Sequence, residues 1–311
     1  VGNRLYNRAT DMLRPPGSTF KPLAVYSAGI ELGKFMPYTT FDDAPDIKLS
    51  GTDWYPNNDD FSNTGLVTIR YAIQRSLNTI AAQIIDLIGP SNSFNFVKER
   101  FGITSMVEET DENGFSDKAY APMALGQLSY GASVAEMASA YTPFVNNGIY
   151  TRGRTYTHVT DSEGALILEN TPESHVAISE LTSYYMTDLM QNVVNSGSGI
   201  IAKLSGMPTA GKTGASGVWL DRWFVGYTPY YVAAVWSGYD TPEYMGSSNP
   251  SAVLWKQVMQ KVHEDLDYKD FPRPEGLKPY TVCIDTGLLA TEACAHDIRG
   301  NHTMTLYLQP S

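Results

Sequence analysis

The chain has 311 residues, of which 22 are Lys or Arg and 33 are Asp or Glu, giving a formal net charge of −11. So acidic a chain lacks the clustered positive charge that phosphate binding needs, which excludes an electrostatic nucleic-acid binder. Hydrophobic residues make up 42% and charged residues 18%, a globular composition that is neither disordered nor membrane-spanning, and the length allows about two domains.

The sequence opens at Val1-Gly2-Asn3 without Met or a signal peptide, and reads as a piece of a longer protein. Residues 18–30 read as a helix, with Leu23, Ala24, Tyr26, Ser27 and Ile30 at helical spacing and Gly33 where a C-cap belongs. Pro22 falls in the first turn, where its missing N–H costs nothing. Residues 34–64 are loop-rich, and 68–88 carry an apolar stripe of Ile69, Ile73, Leu77, Ile80, Ile84 and Ile88. An Ala-rich helix is expected over 130–147. A hairpin should follow, with strands over 155–160 and 165–168. Residues 179–195 read as a helix, then 208–215, 222–228 and 231–239 as strands, the last two antiparallel across Thr228-Pro229-Tyr230. A helix is expected over about 250–266, and Pro272–Gly276 reads as a linker into a tail. Helices first, then strands, then a helix is the order of an α+β fold, and the expected division is 1–270 and 271–311.

Three short motifs carry chemistry: Ser18-Thr19-Phe20-Lys21 (S-x-x-K), Ser76-Leu77-Asn78 (S-x-N) and Lys212-Thr213-Gly214 (K-T-G). Taken singly they read as a helix cap, a helix-surface serine and a solvated strand lysine. Their order, with S-x-x-K opening a helix and K-T-G on a strand, points instead to a nucleophilic serine. Positions i and i+3 are helical neighbours, so Lys21 can serve Ser18 as base once burial and a second cation, Lys212, lower its pKa. The helix N-terminus favours a developing oxyanion at Ser18.

Ser76 and Asn78 set a geometric test. In an unbroken helix two residues two apart point about 200° from each other. Both can face one pocket only if the helical run breaks between Arg75 and Thr79. Gly211 and Gly214 leave room for an extended backbone beside the K-T-G strand, so a peptide can add to its edge. Lys212 and the Thr213 hydroxyl would then hold a free C-terminal carboxylate.

Other chemistries find no support. G-x-S-x-G and H-E-x-x-H are absent, and Gly197–Ala202 follows a helix and reads as a helix end. Asn301-His302-Thr303 is a chance glycosylation sequon. Cys283 and Cys294 could close a small loop or be unrelated thiols, and only His296 lies near them, too few ligands for zinc.

The motif trio, in this order, is the one by which penicillin-binding proteins and serine β-lactamases are known. The chain resembles the transpeptidase domain of a class A, bifunctional penicillin-binding protein over about residues 1–266. The likeness extends to Tyr6-Asn7-Arg8-Ala9, Arg14-Pro15-Pro16-Gly17, Trp54-Tyr55-Pro56-Asn57-Asn58, the runs 65–70 and 140–148, and the strand residues 221–229 and 235–240. The resemblance implies the following roles. Ser18 attacks the penultimate D-Ala carbonyl of a peptidoglycan stem peptide ending in D-Ala-D-Ala, and Lys21 is the base. Ser76 relays the proton to the leaving D-Ala, and Asn78 holds the substrate amide. Lys212 and Thr213 bind the terminal carboxylate, Gly214 admits the substrate backbone, and the N–H groups of Ser18 and Ala215 form the oxyanion hole. Trp54, Trp219 and Trp223 line the cleft. β-Lactams acylate Ser18, and neither cofactor nor metal is called for. The implied place is the outer face of the bacterial cytoplasmic membrane, on an anchored parent that also carries a glycosyltransferase. The tail resembles a C-terminal extension of some members and implies a Cys283–Cys294 disulfide.

Two departures stand out. The family usually has Thr or Ser where this chain has Ala215, so a carboxylate-binding hydroxyl is lost and acylation by cephalosporins should be slower than in Ala215→Thr. The strands that precede Tyr6-Asn7-Arg8-Ala9 in the family are missing, so one sheet edge should be open unless a separate N-terminal polypeptide fills it. A class A β-lactamase would need a glutamate in an E-x-x-L-N setting, and Glu163 and Glu169 fall in the hairpin instead. A D,D-carboxypeptidase and a non-enzymatic β-lactam sensor are the remaining alternatives.

Overall fold

The structure is a computed structural model that describes residues 6–310; Val1-Gly2-Asn3, where the sequence opens, lie outside the described residues. The first helical run, 17–31, is wound in three ways: a 3-10 turn over Gly17–Thr19, a π-helix over Pro22–Ser27, and α1 over Ala28–Glu31. Its apolar face is in the core, with Phe20, Leu23, Ala24, Val25 and Tyr26 fully buried. Gly33 sits just past its end at φ +65°, the left-handed position that glycine accepts freely.

Strands β1 (Thr40–Asp43) and β2 (Gly65–Thr68) pair antiparallel across the loop-rich segment. The long apolar stripe is split into α2 (Ile69–Arg75) and α3 (Asn78–Ile88). On α3, Ile80, Ile84 and Ile85 are fully buried, each contributing roughly 1.5–3 kcal/mol. Helices α4 (Pro90–Phe101) and α5 (Tyr120–Leu125) follow. The expected helix over 130–147 is divided into α6 (Val134–Ala140) and α7 (Thr142–Val145), because Pro143 starts a new first turn.

Strands β3 (Ile149–Thr151), β4 (His158–Thr160), β5 (Leu166–Glu169) and β6 (Ser174–Val176) form two small antiparallel pairs, β3 with β6 and β4 with β5. The β4–β5 pair is the expected hairpin. Helix α8 (Glu180–Ser196) is capped by Ser179, whose hydroxyl accepts from Thr182 N. The three strands β7 (Ala210–Ala215), β8 (Asp221–Tyr227) and β9 (Val232–Gly238) form one antiparallel sheet in that order, so β7 and β9 are its edges among the described residues. Helix α9 (Pro250–Val262) packs against β8 and β9 through Ala252, Trp255 and Met259. The outcome is the expected α+β order, with one helical layer on each side of the sheet. Among the described residues no helix is long and apolar enough to cross a membrane.

The tail is a hairpin of β10 (Lys278–Cys283) and β11 (Thr303–Leu308), with the short α10 (Glu292–Ala295) between them. Val282, Leu306 and Leu308 join the main core. Cys283 and Cys294 stand as free thiols with their side chains in hydrogen-bond contact, so the pair implied as a disulfide lies together without the bond. Six residue pairs join the two strands, and Asp285 contacts both Arg299 and His302.

Candidate active site

The helical run breaks where two neighbouring motif residues need it to. Ser76 takes a left-handed conformation (φ 61°, ψ 36°), and Leu77 N donates to Ala72 O at 3.0 Å, closing α2 in a Schellman-like end. Leu77 is extended, and α3 starts again at Asn78. A left-handed non-glycine costs on the order of 1–2 kcal/mol, and here that conformation turns Ser76 and Asn78 toward one amine.

That amine is Lys21. Its Nζ donates to Ser76 O at 2.7 Å and Asn78 Oδ1 at 2.7 Å, with Leu77 O at 3.4 Å and Ser76 Oγ at 3.5 Å. Lys212, from the edge strand β7, donates from Nζ to Ser76 Oγ at 2.8 Å and to Thr213 O at 3.2 Å. Both lysine side chains are fully buried. Burial brings the Lys21 amine down to about 7, against a smaller opposing pull from Asp59. Burial first, and the nearby Lys21 second, hold Lys212 well below the ordinary lysine range. Burial alone accounts for the fall at Lys21, and at Lys212 the charge of Lys21 adds to it.

Ser18 lies on the 3-10 turn and is half-buried. Among the described residues no hydrogen bond joins its hydroxyl to Lys21, whose bonds run to Ser76, Leu77 and Asn78. A neutral amine has two protons, and the two 2.7 Å bonds to Ser76 O and Asn78 Oδ1 account for both. Its lone pair is left for an incoming proton.

Close backbone approach sets the serine against β7. Gly17 has φ +55°, and a Cβ there would lie 2.1 Å from Ala215 O. A Cβ on Gly214 would lie 2.5 Å from Pro16 O and 2.9 Å from Thr19 N. Both glycines are therefore required for β7 to pack on the nucleophile turn. Trp223 Nε1 donates to Pro15 O at 3.0 Å and braces the residues ahead of Ser18.

The loop after Trp54 holds Asn78 from the other side. Asn58 Oδ1 accepts from Asn78 N at 2.8 Å, Asn57 O accepts from Asn78 Nδ2 at 2.9 Å, and Asp59 Oδ1 accepts from Asn78 Nδ2 at 3.1 Å. Buried Asp43 anchors this loop by accepting from Asn58 Nδ2 at 2.9 Å, Thr64 N at 2.8 Å and the Thr79 hydroxyl. A cavity of about 310 Å3 opens beside the site, lined by Asp59, Gln74, Arg75, Ser76, Leu77 and Ser198 among others.

Ser76, Asn78, Lys21 and Lys212 are thus brought together, with Thr213, Gly214 and Ala215 following on β7. The tryptophans divide. Trp219 is half-buried in the turn after β7, stacked on Tyr244 at 6.1 Å with the Arg222 guanidinium over its ring. Trp223 does not line a cleft: it is fully buried in the middle strand, because its alternation along β8 points it at the nucleophile turn. Trp54 stacks on Tyr120 at 6.3 Å and is not among the residues lining the cavity. Asp43, Asp59 and Ser198 were not singled out by sequence reasoning. Asp43 and Asp59 sit in loop runs with no spacing signal, and Ser198 was absorbed into a helix end.

Comparison with known proteins finds relatives over most of the chain. The family described as "Penicillin binding protein transpeptidase domain" matches residues 2–260. A penicillin-binding protein 1A from Clostridium botulinum is 36% identical over 309 residues, covering 96% of this chain and 36% of that protein. Penicillin-binding protein 4 from Bacillus subtilis is 34% identical, covering 83% of this chain and 40% of its own length. The chain thus spans well under half the length of these curated relatives. Among solved structures, penicillin-binding protein 1A from Haemophilus influenzae superposes with a TM-score of 0.79 at 21% identity, covering 98% of this chain and 50% of that one. PonA1 from Mycobacterium tuberculosis gives 0.73 at 24% identity, covering 87% and 74%. These two likenesses show the fold.

Proposed function

The chain belongs to the penicillin-binding protein transpeptidase family, a peptidoglycan-directed enzyme family, and from that premise we propose that it is a serine D,D-transpeptidase that cross-links stem peptides through an acyl-enzyme at Ser18. The observation that carries this reading is the convergence of Lys21 and Lys212 on Ser76, with Asn78 fixing Lys21.

Ser18 Oγ attacks the carbonyl carbon of the penultimate D-Ala, and its proton passes to the Lys21 lone pair. The backbone N–H groups of Ser18 and Ala215 receive the oxyanion. The tetrahedral species collapses with cleavage of the C–N bond. The departing D-Ala nitrogen takes the Ser76 hydroxyl proton, and Ser76 is made good from Lys21. Lys212 Nζ, donating to Ser76 Oγ, stabilises that oxygen while its proton is leaving. An amine of a second stem then attacks the ester, and Ser18 regains its proton. The stem peptide adds to the free edge of β7, and its terminal carboxylate meets Thr213 and Lys212. β-Lactams take the same route as far as the ester. Asn78 reaches the substrate amide by giving up its bond to Asp59.

The parent protein is placed on the outer face of the cytoplasmic membrane, with a glycosyltransferase upstream. The outer edge of β9 is where a further strand, from a separate N-terminal polypeptide or the parent chain, joins the sheet. Residues 271–311 act as an extension of the transpeptidase domain. The test is labelling by a fluorescent penicillin with Ser18→Ala as control. A long-lived adduct absent from the control supports the reading; rapid formation and loss of label points to β-lactamase chemistry; no adduct overturns it.

A further inference from the structure

The carboxylate seat at β7 is short of one donor by sequence and has a replacement in space. Thr213 and Ala215 lie two apart on the strand and face the same side, both half-buried between buried neighbours. Ala215 brings no hydroxyl to that side. Beside Thr213, Ser198 in the turn after α8 brings one. Thr213 Oγ1 donates to Ser198 Oγ at 3.0 Å, and Ser198 lines the same cavity as Ser76. Among the described residues Ser198 Oγ donates to no protein group, so its proton is uncommitted.

The turn holding Ser198 is fixed by Gln74, two residues ahead of Ser76. Ser198 N donates to Gln74 O at 3.3 Å, and Gln74 Nε2 donates to Ser196 O at 2.7 Å. Asn192 Nδ2 donates to Gln74 Oε1 at 3.0 Å. A Cβ on Gly197 would lie 2.6 Å from Gln74 O, so only glycine permits this approach. The arrangement also removes nearby negative ends. Val193 O is taken by the N–H groups of Gly197 at 3.0 Å and Gly199 at 3.1 Å, and Ser196 O by Gln74. An anion beside Ser198 therefore meets the Thr213 and Ser198 hydroxyls rather than these two carbonyls, in a cavity that Arg75, Asp59 and Asp60 also line.

We propose that Ser198 is a specificity-determining residue that binds the substrate carboxylate jointly with Thr213, supplying the hydroxyl that Ala215 lacks. This rests on the acyl-enzyme reading above. When the carboxylate arrives, the Thr213 proton turns from Ser198 to the anion, and the Ser198 proton joins it. Two hydroxyl donors then share one acceptor oxygen.

The test measures the second-order rate of Ser18 acylation in the full chain with two probes, a penicillin bearing its free carboxylate and the methyl ester of the same penicillin. Ser198→Ala should slow the acid about tenfold or more, the share of a hydrogen bond to a charged acceptor, and change the ester less than twofold. Ala215→Thr in the Ser198→Ala background should recover much of the loss, and should help the wild-type background less. An unchanged rate with the acid overturns the proposal. So does an equal fall for acid and ester, which marks Ser198 as structural. Failure of the wild type to be labelled at all overturns the acyl-enzyme reading and this inference with it, and is told apart from the other outcomes by that control.

Discussion

Lys212 donates from Nζ to Ser76 Oγ at 2.8 Å, joining two residues 136 apart in sequence. The contact needs three features at once: an edge strand that aims the lysine inward, a helix that stops at Arg75, and a left-handed Ser76. It fixes which atom of Ser76 faces the amines, and so which proton is available to a leaving group. Lys212→Ala and Ser76→Ala should each slow acylation by on the order of a hundredfold or more. The double variant should be hardly worse than either single one, because the two act as a unit. Stopped-flow labelling with a chromogenic β-lactam checks this; additive losses would show that the contact is not used in the reaction.

Two glycines with similar backbone angles separate packing from strain. Gly17 (φ +55°) has Ala215 O within 2.1 Å of where a Cβ would stand, whereas Gly33 (φ +65°) has nothing within 4 Å. Gly33→Ala should cost only the left-handed penalty of about 1–2 kcal/mol and leave the labelling rate intact. Gly17→Ala bears that penalty and also pushes β7 off the nucleophile turn, so it should lower the melting temperature further and abolish labelling. Thermal melts and labelling on the two variants give the comparison. Equal labelling in both would show that the Gly17–Ala215 approach is not needed.

The site was legible where residue type and periodicity conflict. An apolar stripe over 68–88 asked for one helix, while Ser76 and Asn78 as neighbours in one pocket asked for a break. The structure resolves the conflict with α2, a left-handed Ser76 and α3. The three strands were legible as short runs, the last two parted by the turn Thr228-Pro229-Tyr230. Trp223 misled because a tryptophan beside a catalytic strand reads equally well as groove wall or core. Its burial depends on the nucleophile turn lying over β8, a tertiary fact. Asp43 was invisible: its partners come from Asn58, Thr64 and Thr79, and no local pattern links them.

Asp43 therefore carries a prediction of its own. It is fully buried and accepts from several donors that hold the 58–64 loop against the start of α3. Asp43→Ala strands those donors, at roughly 1–3 kcal/mol for each left unsatisfied. The fold should be destabilised by several kcal/mol. In the folded fraction, Asn58 should lose its hold on Asn78, and labelling should slow beyond what the loss of folded protein explains. Active-site titration beside denaturant unfolding separates the two effects. A variant that is unstable but normal in rate per folded molecule would make Asp43 a stability residue only.

The pH dependence of labelling follows from Lys21. The base must be neutral to take the Ser18 proton, and burial brings this amine to about 7. The rate should therefore rise with pH, with about a tenth of the base neutral one pH unit below that value and about nine-tenths one unit above. Asp59, hydrogen-bonded to Asn78, raises the pKa of this amine. Asp59→Asn removes the negative charge and keeps a side chain of the same shape beside Asn78. The protonated amine is then less favoured, so the acid limb of the profile should move to lower pH, with a higher rate near pH 6. Second-order labelling rates between pH 5 and 9 for the two proteins read the shift. An acid limb that stays in place in Asp59→Asn would mean that Lys21 is not the group that limits the rate.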